Sequence, residues 1–373
     1  MELSTLLQMM KDKKASDMFL TAGLPPMMKV GGKTEPVSDE VLLPEVSMAI
    51  VTGMMSPAQR EEFEATKECN FAISDEEIGR FRVSAFIQSN YAGAVLRRIE
   101  NYIPSIEDLN LPPILKNLSM TKRGLIVFIG ATGTGKSTSL ASMIDYRNKT
   151  GTGHIITIED PIEFVHKHQG CIITQREVGI DTESYETALK NTLRQAPDVI
   201  LIGEIRDRET MNHAIAFAET GHLCLATLHA NNANQALDRI INFFPEERRP
   251  QLFMDLSMNL KAFLAQQLIP RKDGNGRRVC VEILLGTALV HDVIRKGDIH
   301  KLKELMKQSS QQGMITFDQA LFNLYKEGEI SYDDALHYAD SANEVRLMVK
   351  LDEGDVNKMT EAMDNVFLHE IEE

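Results

Sequence analysis

Residues 130–138 read GATGTGKST and carry the strongest chemical pattern in the chain. The apolar stretch LIVFI precedes them and a helical pattern follows, which is the setting of a phosphate-binding loop. Glycines in such a loop let backbone N–H groups converge on phosphate oxygens. The sequence therefore predicts an ATP site to which the following residues contribute: Gly130, Ala131, Thr132, Gly133, Thr134, Gly135, Lys136, Ser137 and Thr138.

Two side chains of this loop have specific expected roles. Lys136 can reach the β- and γ-phosphates, and Ser137 can give its hydroxyl to Mg²⁺. In most ATP-splitting folds a second Mg²⁺ partner is an Asp at the end of a buried strand. The matching stretch here is VILIGE at 199–204, where that position is Gly203. We expect the next residue, Glu204, to orient or deprotonate the attacking water.

An acidic turn supplies carboxylates that the Gly203 strand lacks. It reads TIEDPIE at 157–163 and lies at the end of the apolar stretch HIITI. Because the carboxyl ends of strands in a parallel sheet face the ligand crevice, we predict that Glu159, Asp160 and Glu163 hold Mg²⁺ through water. The alternative is an exposed acidic turn without a ligand.

Histidines and arginines supply the remaining candidates. His222 precedes the apolar stretch 223–228 and His229 follows it. His229 is the better catalytic candidate because its strand end should face the same crevice, although such a histidine is more often structural. An arginine outside the phosphate loop commonly meets transition-state charge on the γ-phosphate. The first domain offers four, of which at least two should simply be solvated: Arg80, Arg82, Arg97 and Arg98.

The bulk composition excludes several classes of protein. The net charge is −14 and there is no Trp, which argues against a DNA-handling ATPase with a basic channel and stacking aromatics. The four cysteines lie far apart and form no Cys-x-x-Cys pair, so a zinc site is not expected. No apolar run reaches 18 residues and no signal peptide is recognisable, so we expect a reduced, cytoplasmic protein.

The hydrophobic pattern of the sequence changes near residue 104. Short strand-like pieces broken by Gly and Pro come first and indicate an α+β domain; compact apolar strands alternating with helical patterns follow and indicate a parallel α/β sheet covered on both faces. The last part is helical. The predicted divisions are an N-terminal domain, a linker, an ATPase core and a helical C-terminal region: 1–103, 104–116, 117–290 and 291–373.

Taken together, these motifs resemble those of the secretion and pilus motor ATPases, the GspE family, and in particular its PilT/PilU pilus-retraction branch. The resemblance covers nearly the whole chain. An opening ASDMFLTAGLPPMMKVGG is followed in family order by GATGTGKST, TIEDPIEF, LRQAPDVILIGEIRD and TGHLCLATLHAN. Gly203 is then a family trait, and Glu204 matches the catalytic glutamate of the family.

The resemblance implies an architecture and a set of partners. It implies a ring of six subunits in which a RecA-like domain binds ATP and a smaller PAS-like N-terminal domain closes over it with arginines. Arg82 and Arg97 match those arginines best by position. The expected partners are an inner-membrane platform protein and the pilus base, with no nucleic acid. The expected location is the cytoplasmic side of the inner membrane.

Two features differ from a typical PilT and point to the PilU-type branch. The segment that matches a retraction motif of Ala-Ile-Arg-Asn-Leu-Ile-Arg-Glu reads ALVHDVIRKGD at 288–298. The chain also ends in a stretch, 351–373, with eight acidic residues and one lysine and with helical apolar spacing. The stretch is either a loosely packed helix or a docking helix for a partner, for example a paralogous PilT-type motor. An accessory subunit that assists such a motor is the alternative to a motor acting alone.

Overall fold

The computed structural model describes residues 2–75, 77–99 and 102–352. Contacts divide the chain into two compact units, which we call the N-terminal unit and the core unit. The N-terminal unit comprises Met1–Ile103, Ile158–Lys167 and Gln175–Ala188, and the core unit comprises Pro104–Thr157, His168–Thr174 and Leu189–Glu373. The domain bounds predicted from the sequence differ, because they place Ile158–Lys167 and Gln175–Ala188 in the ATPase core at 117–290. These bounds stay a prediction.

The N-terminal unit is built on one antiparallel sheet. Its strands are β1 (Asp17–Thr21), β2 (Met27–Val30), β3 (Lys33–Pro36), β4 (Glu68–Asp75), β5 (Gly79–Gln88) and β6 (Tyr91–Ile99). Their order in the sheet is β3-β2-β1-β6-β5-β4, with antiparallel pairs throughout. Along β5 the side chains of Phe81, Val83 and Ala85 are buried, as expected for a strand that covers a core on one face.

Three helices complete this unit. They are α1 (Leu3–Asp12), α2 (Pro44–Gly53) and α3 (Pro57–Thr66). Helix α1 buries Leu6, Leu7 and Met10, which recur at the spacing of one helical face. The Ser47 hydroxyl of α2 donates to the Ala92 carbonyl at 2.6 Å and fixes this helix to β6. The unit is α+β, as predicted.

The second sheet has seven strands. Its strands are β7 (Gly124–Ile129), β8 (Gly153–Glu159), β9 (Cys171–Glu177), β10 (Val199–Ile202), β11 (Leu223–Leu228), β12 (Leu260–Pro270) and β13 (Arg277–Leu285). Their order is β13-β12-β7-β11-β10-β8-β9. Strand β11 runs parallel to both β7 and β10, and all residues of these three strands are buried. The prediction of parallel strands covered on both faces is confirmed for this centre of the sheet.

The edge formed by β13 differs from the predicted parallel sheet. Strand β12 is parallel to β7, but β13 returns antiparallel to β12. The connecting turn contains Gly274 and Gly276, both with left-handed φ values of 74° and 85°. Because such turns favour a hairpin, the sheet becomes mixed at this edge. The apolar pattern of the strands does not distinguish a parallel from an antiparallel return, whereas the glycine-containing turn does.

Helices surround the central strands. They are α4 (Ile114–Ser119), α5 (Lys136–Thr150), α6 (Tyr185–Thr192), α7 (Arg208–Glu219), α8 (Ala233–Asn242), α9 (Arg249–Asn259), α10 (Ala288–Arg295), α11 (Leu302–Gln308), α12 (Phe317–Lys326) and α13 (Tyr332–His337). Residues 342–352 are also helical, so the described residues after β13 are mainly helical, as predicted for this part of the chain. The expected docking helix falls mostly on 353–373, outside the described residues. Across the described ranges, none of the helices has the length and apolar character needed to cross a membrane.

A buried carboxylate joins the starts of two helices in the core unit. Glu282 of β13 is only 3% exposed. Its Oε1 accepts the N–H of Ala233 at 2.8 Å, and its Oε2 accepts the N–H of Phe317 at 3.2 Å. These are the first residues of α8 and α12, whose leading N–H groups have no partner inside the helix. Burial raises the pKa of Glu282 to about 7, although the two N–H donors act in the opposite direction.

The start of α8 has a second anchor in the C-terminal helices. Asn232 caps α8 with its side-chain oxygen and donates its amide to Asp340 Oδ2 at 2.9 Å. Lys303 lies 3.8 Å from the same carboxylate and 3.0 Å from the fully buried Asp318. Burial raises the pKa of Asp340, and the Lys303 charge and the Asn232 amide partly offset this rise. Polar contacts therefore tie the residues just before α8 to the region after residue 300.

The pKa of Glu282 predicts a pH dependence of stability. Because the folded-state pKa of about 7 exceeds the ordinary value of 4.5, the folded protein binds this proton more tightly. The stabilisation is complete below about pH 4.5 and is lost as the pH rises through 7; it amounts to about 3 kcal/mol. Glu282→Gln removes this titration. We expect the melting temperature of the wild type to fall more steeply between pH 5 and 8 than that of the variant.

The variant also provides an internal check. The amide nitrogen introduced by Glu282→Gln cannot accept one of the two helix N–H groups, so the variant should be the less stable protein at pH 5. The difference should narrow by pH 8, where the wild type carries a buried charge. Melting curves recorded across this range decide the matter, and parallel slopes for the two proteins would contradict the assignment.

Candidate active site

The predicted phosphate loop adopts a tightly turned conformation between β7 and α5. Gly133 and Gly135 have φ values of 81° and 87°, in the left-handed region that favours glycine. A Cβ atom on Gly130 would lie 2.5 Å from Thr134 Oγ1, closer than real Cβ contacts allow. The loop thus closes on itself without room for a side chain at its first position, and α5 begins directly after it with Lys136.

Lys136 is held above its own loop. Its ammonium group donates to the carbonyl oxygens of Gly130 and Ala131, each at 2.8 Å, and the residue is only 8% exposed. The Thr134 hydroxyl donates to the Ala131 carbonyl at 2.9 Å. These contacts turn carbonyl groups toward the lysine and the threonine. They leave a cationic group fixed at the point where the sequence predicts the β- and γ-phosphates.

Neighbouring strand ends bring Glu204 and His229 together. Ile202 at the end of β10 is paired with Ala226 of β11, and two residues further along each chain come Glu204 and Leu228. His229 Nε2 lies 3.2 Å from Glu204 Oε1. The Glu204 side chain is 14% exposed, whereas that of His229 is 36% exposed. The structure therefore places the two predicted catalytic residues in direct contact.

A third residue at this point was not predicted from the sequence. Arg206 Nε donates to Glu204 Oε2 at 2.7 Å, so an imidazole and a guanidinium group flank the carboxylate. The Thr227 hydroxyl donates to the carbonyl of Gly203 and fixes the backbone just before Glu204. Contacts on both oxygens orient the carboxylate. The only sequence signal for Arg206 was its place in the GEIRD stretch.

A cleft of about 850 Å³ opens beside these residues in the core unit. Its walls include Ala131 and Thr132 of the phosphate loop, His229, and residues of α8 from Gln235 to Asn242. A cleft of this size lies within the usual range for small-molecule sites. The loop and the histidine thus line the same opening.

His222 lies at the other end of β11, away from the cleft. Its Nδ1 is 3.0 Å from the Thr220 hydroxyl and 3.2 Å from the Phe217 carbonyl, at the C-terminal end of α7. These local contacts give it a structural role in the turn between α7 and β11. The preference for His229 over His222 is consistent with this geometry.

The acidic turn belongs to the N-terminal unit. Glu159 is the last residue of β8, and the Asp160–Pro161 peptide that follows is cis. The Gln175 amide donates to Glu159 Oε1 at 3.4 Å and to the Phe164 carbonyl at 2.9 Å, while Asp160 and Glu163 are exposed. In the described part of the chain, no three His, Cys, Asp or Glu side chains gather as metal ligands. Any Mg²⁺ here would take most of its ligands from phosphate and water.

Both predicted arginines of the N-terminal unit have acidic partners. Arg97 Nε donates to Asp17 Oδ1 at 2.8 Å, across the paired strands β6 and β1. Arg82 Nε lies 3.8 Å from Oε1 of Glu177, a carboxylate whose side chain is 1% exposed. Burial raises the pKa of Glu177, and the N–H of Ile162 and the arginine charges partly offset this rise. Glu177 had no sequence signal, because its partners come from distant segments.

Comparison with known proteins identifies the family. Residues 64–320 match the family model described as Type II/IV secretion system protein. The chain belongs to this family. It is 66% identical over 351 residues to "Type IV pilus ATPase PilU" of Pseudomonas aeruginosa, a match that covers 94% of this chain and 92% of that protein. It is 40% identical over 335 residues to the "Type IV pilus retractation ATPase PilT" of the same organism, covering 90% and 97% of the two chains.

A solved member of the family has the same fold. The crystal structure of the pilus retraction motor PilT with bound ADP matches with a TM-score of 0.87 and 38% identity, over 93% of this chain and 99% of that one. The predicted fold is thereby confirmed: an α+β, PAS-like N-terminal domain, then a RecA-like ATPase domain with a helical C-terminal region. The chain is a nucleotide-binding ATPase of the pilus-retraction type within this secretion ATPase family.

Lys136→Ala tests whether residues 130–138 are the nucleotide site of this ATPase. Removing the ammonium group deletes a charge-assisted phosphate contact of about 1.5–3 kcal/mol, so ATP affinity or turnover should fall tenfold or more. Lys149→Ala is the matched control, because Lys149 lies on the same helix, its side chain is 54% exposed and it is outside residues 130–138. Titration with a fluorescent ATP analogue and steady-state ATPase assays measure both effects. A folded Lys136→Ala protein with wild-type affinity and turnover would exclude this site.

Proposed function

We propose that the protein is an ATP-hydrolysing motor of type IV pilus retraction that works as a homo-hexamer. The observation that carries this proposal is the end-to-end likeness to the ADP-bound PilT motor. The 66% identity to PilU supports the same conclusion. The Glu204–His229 contact beside the phosphate loop adds a chemical reason, because it supplies an oriented carboxylate where hydrolysis needs a base.

ATP is proposed to bind through the phosphate loop, with its phosphates on the backbone N–H groups of residues 130–138 and on Lys136. Bound Mg²⁺ would neutralise charge on the β- and γ-phosphates. The Ser137 hydroxyl is its proposed direct partner, and Glu159, Asp160 and Glu163 are proposed to hold it through water. The glycine at position 130 fits this role, because a side chain there would collide with Thr134 and prevent the tight turn of the loop.

Glu204 is proposed as the general base. Arg206 donates to one of its oxygens and His229 Nε2 lies 3.2 Å from the other, so the carboxylate is held in one orientation and a water in front of it meets a fixed acceptor. Arg82 and Arg97 are proposed to stabilise negative charge on the γ-phosphate in the transition state. Each would first exchange its acidic partner, Glu177 or Asp17, for phosphate. The two arginines would therefore contact phosphate only once nucleotide has bound.

The proposed setting is the cytoplasmic side of the inner membrane at the pilus base. There, six copies would act on an inner-membrane platform protein without nucleic acid. A paralogous PilT-type motor is a further proposed partner. The support is the 40% identity to PilT over nearly the full length of both chains, which gives two related subunits of matching architecture.

Two isosteric changes separate the proposed roles of the acidic groups. Glu204→Gln keeps the shape of the side chain but removes the base and one of its two acceptor oxygens, so ATP should bind normally while turnover falls about 10²-fold or more. Asp160→Asn should raise the Mg²⁺ concentration needed for half-maximal activity. Glu209→Gln, at an exposed position in the first turn of α7, is the control and should behave like the wild type. Wild-type hydrolysis by Glu204→Gln with an inactive Asp160→Asn would reverse the two assignments.

Retraction in cells tests the function itself. A cell that carries this protein as its sole retraction ATPase should retract fluorescently labelled pili, and the Glu204→Gln protein expressed at equal levels should not. If retraction appears only when a PilT-type motor is added, the protein is an accessory subunit of that motor and not a motor that acts alone. Pilus dynamics unaffected by either protein would contradict both functions.

A further inference from the structure

A buried amide connects β12 to the phosphate loop. Gln266 is 2% exposed and lies 132 residues beyond Thr134 in the chain. Its Nε2 donates to the Thr134 carbonyl at 2.7 Å, and its Oε1 accepts from the Ser139 hydroxyl at 2.8 Å. One side chain thus reaches the turn of the loop and the first turn of α5. Both polar atoms of a carboxamide that would otherwise be costly to bury have partners.

The Thr134 bond determines the orientation of a peptide group. In a planar trans peptide the C=O and N–H point in opposite directions. When the Thr134 carbonyl faces Gln266, the N–H of Gly135 must face the other side of the loop, away from β12. Backbone N–H groups of such loops are the phosphate donors. A peptide that flipped would instead present a carbonyl dipole to the phosphate.

The glycines of the loop are packed against the same residue. A Cβ atom on Gly130 would lie 2.8 Å from the backbone carbonyl oxygen of Gln266, and one on Gly135 would lie 2.9 Å from its Nε2. The first and sixth residues of the loop therefore both rest on Gln266. Because both positions are glycine, no Cβ atom collides with Gln266 and its side-chain amide can approach the loop closely.

The surroundings of Gln266 do not otherwise require a polar residue. The four positions before it on β12, from Ala262 to Ala265, are apolar and buried. An apolar side chain at 266 would continue this pattern and would spare the cost of burying an amide. The polar side chain is explained by what it contacts, which is the carbonyl of the loop and the hydroxyl that follows it.

We propose that Gln266 is a positioning residue of the ATPase, which holds the Thr134 carbonyl so that the loop is set for phosphate before nucleotide arrives. The inference rests on the proposed role of residues 130–138 as the nucleotide site. Without Gln266 the loop would spend part of its time with this peptide turned, and only the remaining fraction would bind. Because only the correctly oriented loop binds nucleotide, a smaller fraction of such loops weakens the apparent affinity for nucleotide. At saturating nucleotide concentration all of the protein is again in the bound form.

Two substitutions test this role. Gln266→Met keeps an unbranched side chain of similar length but has no donor for Thr134. Gln266→Glu keeps an oxygen for Ser139 and places a second acceptor against the Thr134 carbonyl. We expect the Kd for ADP and the KM for ATP to rise about tenfold in the first variant and further in the second, with kcat within about threefold of wild type. The melting temperature of each variant identifies any general loss of fold.

Ser139→Ala is the matched control, because it removes the other hydrogen bond of Gln266 and leaves the Thr134 bond in place. It should change the Kd for ADP by no more than about twofold. An equal loss of affinity in Ser139→Ala and Gln266→Met would overturn the role of the Thr134 bond. A lower kcat with unchanged KM in the folded Gln266 variants would overturn it as well.

Lys136→Ala, assayed in parallel, separates this inference from the proposed nucleotide site. If Lys136→Ala loses ADP binding while both Gln266 variants bind like the wild type, Gln266 has no positioning role and the site stands. If Lys136→Ala keeps both wild-type affinity and wild-type turnover, the site itself is wrong and the inference is overturned with it. Loss of ADP affinity in Lys136→Ala and in both Gln266 variants, with kcat retained in the Gln266 variants, supports both the nucleotide site and the positioning role of Gln266.

Discussion

The parallel register of β7, β11 and β10 is the constraint on which the candidate site depends. Ile129 and Leu228, the last residues of β7 and β11, are direct partners in the sheet, and Ile202 of β10 is level with Ala226. The residues that follow these strands are therefore the phosphate loop, His229 and the Gly203–Glu204 pair. Three segments far apart in the chain reach the same side of the sheet because the parallel pairing places the C-terminal ends of these strands next to one another.

Much of this arrangement could be predicted because its signals are local. The phosphate loop combines an apolar strand, closely spaced glycines and a Lys-Ser pair within a few residues, and Gly135 and Lys136 mark the start of a helix. The approach of Glu204 to His229 needed one further step, the rule that parallel strands share their carboxyl edge. The hairpin of β12 and β13 was missed because its turn, not its hydrophobic pattern, specifies the antiparallel return.

The residues that sequence reasoning missed act through contacts between distant segments. Gln266 meets Thr134 across 132 positions, and Glu177 meets Arg82 from another part of the chain. No spacing rule connects such pairs. The arginines show the same limit: their charge suggested a role at phosphate, but only the structure reveals that Asp17 and Glu177 already face them. A side chain with a buried acidic partner is oriented before any ligand is present, which a sequence pattern does not reveal.

Glu282 gives the core unit a mechanical property. Its carboxylate joins β13 to the first residues of both α8 and α12, and Asp340 holds Asn232 just before α8. Pulling α12 away from β13 would strip a buried acid of one of its two donors, a steep cost over a short displacement. A displacement of α12 therefore acts on the sheet through the hydrogen bond between the Phe317 N–H and Glu282 of β13. The helix that follows His229, α8, and the helix α12 are thus bonded at their first residues to the two oxygens of one buried carboxylate.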